Sequence, residues 1–283
     1  MAARPRTLRL VIAYDGAEFA GWQRQLRHRT VQGELERVFE AIEGRPVHVA
    51  GAGRTDAGVH AAAQVASVRL TAAIAPDRLV RACNASLPDD VRVLAAEETF
   101  EGFHARIHAR GKTYRYLIWH APTGAPALRR VAWHVPQPLS LSAMQEAARG
   151  FLGERDFAAF RARGSHVRST VRTIWTSTVE VLPALPPWTD GTAQPGRLIC
   201  FEVSGSGFLR HQVRAMAGSL AAIGRSRLTA EALARAVDEG RRAGVGPTAP
   251  AHGLHLWRVD YGAVEPDAPA GPASAPDEGA DPT

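Results

Sequence analysis

The sequence predicts an α+β fold made of two ferredoxin-like (β-α-β-β-α-β) halves, whose antiparallel sheets can form a shared basic cleft. Three observations predict it. One order of strand-like and helix-like periodicity is written twice along 283 residues. Short Gly, Pro and Ser breaks separate the periodic segments. The basic charge is concentrated in the body of the chain. Residues 262–283 carry five Asp or Glu and no Lys or Arg, so 34 basic residues stand against 23 acidic ones elsewhere, a net charge of +11.

The first half opens with Thr7 to Tyr14 (TLRLVIAY), β-branched and alternating enough for a strand. Thr30 then caps a helix whose apolar positions Val31, Leu35, Val38, Phe39 and Ile42 recur at helical spacing until Gly44 stops it. Pro46 to Ala50 and Gln64 to Leu70 read as strands. A second helix follows at Asp77 to Leu87 with Leu79, Val80 and Cys83 inward, then a strand at Val91 to Ala95.

The second half repeats the order with additions. Lys112 to Trp119 is a strand, and Ser140 caps a helix through Leu141, Met144, Ala148 and Phe151. Val171 to Leu182 and Leu198 to Val203 are strands. A long helix is expected from Gly207 to Ile223, a further one capped by Thr229, and a closing strand at Leu254 to Tyr261. The domain boundaries that follow are a disordered N-terminus at 1–6, halves at 7–109 and 110–261, and a disordered acidic tail at 262–283. Pro183 to Gly196, rich in Pro, Gly and Trp, is expected to be a surface excursion.

Composition narrows the function classes. No apolar run approaches the roughly 20 residues that cross a bilayer, and the start lacks the features of a signal peptide, so a cytoplasmic protein is expected. Cys83 and Cys200 stand in apolar contexts outside any C-x-x-C pair and are expected to be buried. Every basic residue of the 34 is arginine except Lys112. Arginine's planar fork suits phosphate oxygens and stacks on bases, although a codon bias would leave the same excess.

The stretch Ala50 to Ala61, AGAGRTDAGVHA, is a poor core and an unusually long turn. Its glycines let Asp56 sit on an exposed bend where a ligand can approach closely. A phosphate cradle fails because the loop lacks the terminal Lys-Ser/Thr and feeds a strand rather than a helix. A metal site on Asp56 and His60 has too few ligands, and His104 and His108, four apart in FHARIHAR, lack the glutamate of a zinc motif and read as RNA-facing or surface residues. Two readings stay open: Asp56 as a nucleophile or base that needs a cation to stay ionised, and Asp56 as a cap on its own turn.

GAGRTDAGVHA resembles the catalytic loop of the tRNA pseudouridine synthase A family. Further matches run in the same order: YDGAEFAGWQRQ at Tyr14 to Gln25, VQGELE at Val31 to Glu36, FHAR at Phe103 to Arg106, KTYRY at Lys112 to Tyr116, DFAAF at Asp156 to Phe160 and FLRHQVRAMAGSL at Phe208 to Leu220. The resemblance implies an isomerase that acts on uridines of the tRNA anticodon stem-loop, works as a homodimer, and needs no cofactor, metal or membrane. It implies that Asp56 is the catalytic aspartate, that Tyr114 stacks on the flipped uracil, and that Arg214 pairs with the aspartate. Arg54 is implied to take the place of the extruded base, offsetting part of the few kcal/mol that flipping costs. Arg24 is expected on the phosphate backbone, and Arg210 and His60 among the RNA contacts. Arg210 and Arg214, four apart on one expected helix, would repel unless an anion lies between them. The chain departs from the family pattern at His252 and His255, where Glu and Tyr are expected, and at Arg210, Gln212 and Ala215. A non-catalytic RNA-binding module on the same duplicated sheet is the alternative.

Overall fold

A computed structural model of the chain describes residues 4–162, 164, 167–183 and 196–262. Residues 184–195 of the expected excursion, the tail from 263 onward and residues 1–3 lie outside the described residues. The protein is a mixed α+β protein, and its described residues fall into two compact units. One is the chain up to Lys112 together with the stretch from His255; the other is Thr113–Leu254.

In the first unit, β1 (Arg6–Tyr14) buries Leu8, Leu10 and Ile12 completely on one side of its alternation. Thr30 caps α1 (Val31–Glu43) by accepting the Gly33 N–H, and Gly44 ends it at φ 68°, in the left-handed region that glycine occupies without cost. Leu35, Val38 and Phe39 of α1 are buried, each contributing about 1.5–3 kcal/mol of transfer free energy. Next come β2 (Val49–Gly51) and β3 (His60–Leu70). α2 (Pro76–Ser86) turns Leu79 and Cys83 inward but leaves Val80 only half-buried, and β4 (Val91–Thr99) follows. β1 lies between β3 and β4 and is antiparallel to both, with Leu10 opposite Ala66 on one side and Ala96 on the other. β2 pairs antiparallel with β3, setting Gly51 opposite Ala66. The 52–59 loop therefore joins two paired strands.

β5 (Gly111–His120) leads into the second unit, where β6 (Trp133–Val135) pairs parallel to it. Ser140 caps α3 (Leu141–Arg149) by accepting the Ala143 N–H. β7 (Gly153–Asp156), β8 (Val171–Val181) and β9 (Arg197–Gly205) extend the sheet in the order β5-β9-β8-β7, with β8 antiparallel to both of its neighbours. β6 and β7 are additions that sequence periodicity does not show.

α4 (Gln212–Gly224) is buried along almost its whole length. It begins five residues later than its apolar pattern suggests, because His211 takes a left-handed φ of 64°. Gln212 fixes that turn: its Oε1 accepts the Leu209 N–H at 2.7 Å. Arg210 accordingly lies outside the helix, and the expected i, i+4 repulsion with Arg214 does not apply. At the other end, Ser226 N–H donates to Ile223 O and Arg227 N–H to Ala222 O, a Schellman closure with Ser226 at φ 56°. Thr229 caps α5 (Ala230–Asp238), accepting the Ala232 N–H. The chain then returns to the first unit as β10 (Leu254–Asp260), parallel to β3 with His255 opposite His60. Among the described residues no helix is long and apolar enough to cross a membrane.

Candidate active site

The loop between β2 and β3 is held from several directions. At its entry, Ala52 N–H donates to Val65 O at 2.7 Å, and Gln64 Nε2 donates to Gly53 O at 2.8 Å. At its centre, Trp22 N–H donates to Thr55 O at 3.0 Å, and the buried hydroxyls of Tyr14 and Thr55 lie 2.8 Å apart. At its exit, Val59 N–H donates to Asp56 O and Gly58 N–H to Phe19 O. Gly58, at φ 77°, makes this last turn feasible.

The segment that braces the loop is the one carrying GAEFAGW. Gly21, at φ 99°, lies so close that a Cβ there would stand 2.5 Å from Thr55 O. Burial pushes the Tyr14 hydroxyl far above its ordinary range, and its hydrogen bonds to Thr55 and Gln64 offset this only in part. Tyr14 is therefore a neutral hydrogen-bonding post. The result is a buried Thr55 next to a half-buried Asp56, with Arg54 and Ala57 exposed on either side.

Arg54 Nε donates to Gln23 Oε1 at 3.1 Å, so the loop arginine is steered by the bracing segment. Arg24 Nη1 pairs with Glu36 Oε2 at 3.0 Å while remaining 65% exposed. Glu36 is buried and also accepts from Gln32 Nε2 and the Val49 N–H, so the exposed guanidinium has a buried anchor. His60 is not on the surface. It is buried, its Nδ1 accepts the Gly16 N–H at 3.1 Å, and its ring stacks on His255 with centroids 4.7 Å apart. His255, one of the departures from the family pattern, thus packs against the end of the loop.

His104 and His108 are half-buried. His108 stacks on Phe103 at 5.5 Å and meets Phe100 edge-on, while the His104 N–H donates to His108 Nδ1. Burial, with His108 beside it, pushes His104 below its usual range. Among the described residues no three His, Cys, Asp or Glu are grouped to hold a metal ion.

Tyr114 and Arg214 belong to the second unit. Tyr114, on β5, is 8% exposed and meets Phe208 edge-on at 5.2 Å. Arg214 stands in the first turn of α4, where Nε donates to Ala249 O at 2.8 Å and its carbonyl accepts the Ala249 N–H. Side chain and backbone are thus fixed by one residue. Tyr116 donates to Pro250 O at 2.8 Å. Burial raises its hydroxyl well out of the titratable range against the opposing charge of Arg214. Tyr14, Thr55 and Phe208 lie inside the motif segments of the sequence, but their contacts, like those of Ala249, span long sequence separations that no local pattern registers.

The family model described as tRNA pseudouridine synthase matches residues 10–106 and 147–262. Asp56 and Arg214 fall inside the matched stretches, and Tyr114 falls between them. Over 256 residues the chain is 38% identical to a protein of Acetivibrio thermocellus called tRNA pseudouridine synthase A, covering 90% of this chain and 100% of the other. A protein of the same name from Pelobacter propionicus is 41% identical over 256 residues, with the same coverage. Another from Solidesulfovibrio magneticus is 44% identical over 261 residues, covering 90% of this chain and 91% of that one.

Proposed function

Taking as premise that the chain belongs to the tRNA pseudouridine synthase family, whose activity is an isomerisation, we propose that it converts uridine to pseudouridine in the anticodon stem-loop of tRNA with Asp56 as nucleophile. The reaction balances internally: the C1′–N1 bond breaks, a C1′–C5 bond forms, a proton leaves C5 and another is taken up at N1. Neither an oxidant nor a reductant enters. One observation carries the assignment to Asp56. In the matched segment, its carboxylate is half exposed on a backbone fixed by Trp22, Tyr14 and Gln64, which suits a group that must meet a reacting atom in one position.

The other roles follow from the same reading. Arg214 supplies the positive charge that keeps the attacking carboxylate ionised, Tyr114 offers its ring to the flipped base, and Arg54 enters the gap the base leaves. Arg24 and Arg210 take phosphates of the backbone, while the buried His60 supports the loop from within. Each unit is a ferredoxin-like half; in the first, the order β-α-β-β-α-β from β1 to β4 supports this. The enzyme works as a cytoplasmic homodimer.

The test is an in vitro tRNA transcript incubated with the protein in EDTA, treated with carbodiimide and read by reverse transcription. New stops in the anticodon arm are expected. Tight RNA binding without stops would instead identify a binding module, and cleavage abolished by EDTA would identify a metal-dependent nuclease.

A further inference from the structure

At the C-terminal end of α4 the chain leaves an open cavity of about 450 Å³, bordered by Gln137, Ser140, Arg225, Ser226 and Arg227. We propose that this cavity is a phosphate-binding site, filled by a phosphodiester of the tRNA backbone and built from residues outside the Asp56 loop and the start of α4.

Two arginines are among the residues that line the cavity, and no acidic residue is. Neither Arg225 nor Arg227 has an ion-pair partner among the described residues. Other arginines of the chain are matched to acids, Arg29 to Asp90 and Arg115 to Glu202 among them. Two like charges held together without an anion are a standing repulsion that a bound phosphate removes.

Arg225 is also held in place. Its Nε donates to Ala221 O at 3.1 Å and its guanidinium lies 5.6 Å from the centre of the Trp133 ring. Burial, then the charge of Arg227, lowers its pKa, so its charged form is under-solvated as it stands. The Schellman turn sets Arg225 and Arg227 on either side of Ser226, whose backbone is left-handed without being glycine. Ser140 and Ser226 also line the cavity, the Ser140 hydroxyl accepting the Ala143 N–H as the cap of α3.

From Arg214 to Arg225 the chain advances eleven residues, about 16 Å along the helix axis. A second phosphate contact at that distance would fix the register of an RNA strand without reading its bases. The RNA source rests on the proposed function, whereas the phosphate chemistry does not.

The experiment compares wild type with Arg227→Glu and Arg225→Gln. In the first arm, tRNA affinity is measured against salt. The variants should bind roughly 5- to 20-fold more weakly near 0.1 M salt, with the slope of log K against log salt reduced by about one per lost contact. In the second arm, inorganic phosphate is titrated into 15N-labelled protein while arginine Nε–H signals are followed. Weaker tRNA binding with a smaller slope assigns the site to the RNA backbone. Unchanged tRNA binding with loss of the phosphate-induced shift assigns it to a small phosphate. No change in either arm overturns the proposal. If Arg225→Gln melts early through loss of its bond to Ala221, the exposed Arg227→Glu decides alone. Absence of pseudouridine formation by the wild type would remove the functional reading and leave the second arm intact.

Discussion

The hydroxyls of Tyr14 and Thr55, 41 positions apart in the chain, share a buried hydrogen bond of 2.8 Å immediately before the aspartate of the loop. Tyr14 ends β1 and Thr55 lies midway between β2 and β3, so the bond ties the loop to the centre of the first unit's sheet.

Tyr14→Phe keeps the ring and strands the Thr55 hydroxyl in a buried setting. A loss of about 1–3 kcal/mol is expected in urea unfolding. Turnover on tRNA should fall by more than tRNA affinity, because the displaced group lies beside Asp56. Equal losses in single-turnover rate and affinity would show that the bond serves only the fold.

Gly21→Ala asks for a side chain at φ 99° with its Cβ 2.5 Å from Thr55 O. The backbone conformation alone costs about 1–3 kcal/mol, and the contact forces the two segments apart. Thermal melting should show the loss directly. A variant that melts like wild type would mean the loop yields easily, contrary to its hydrogen bonding.

Asp56→Asn preserves shape and removes the proposed nucleophile. Pseudouridine should fall below detection while tRNA affinity stays within about 3-fold, since the amide cannot form the covalent bond. Turnover near wild type would remove Asp56 from the mechanism.

Cys83 and Cys200 are buried, and burial pushes both thiols up to about 11 from an ordinary value of 9.0. In the unfolded chain they ionise near 9, so proton release favours unfolding from that pH upward. Their contribution is fully present below pH 9 and is lost as pH rises towards 11. Replacing both by alanine should flatten the fall in stability across that window in chemical denaturation. At pH 8 neither thiol should react with an aromatic disulfide reagent until denaturant is added.

Much of the fold can be read locally because its signals are local. Thr30, Ser140 and Thr229 each precede an apolar run at helical spacing, and each accepts the N–H three residues on. β7 escaped because all four of its residues are exposed and do not alternate, and β6 because three residues hold too little pattern. The start of α4 was misplaced because Phe208 and Leu209 extend the apolar pattern across a left-handed His211 that periodicity does not register. The glycine-rich setting of Asp56 was legible as a loop. The burial of His60 has no signal in the loop pattern, because the residue that ends the loop is also the first of a largely buried strand. The bracing of Thr55 by Tyr14 and Trp22 had no local signal, since hydrogen bonds across tens of residues leave none.

The pinning of the 52–59 segment decides which partner moves. A loop bolted at entry, centre and exit offers a stationary target, with amide protons at Ala52 and Val59 that should exchange slowly with solvent water. On the proposed function, the work of bringing atoms together then falls to the nucleic acid, which would have to unstack one nucleotide and carry it to a carboxylate that stays where it is.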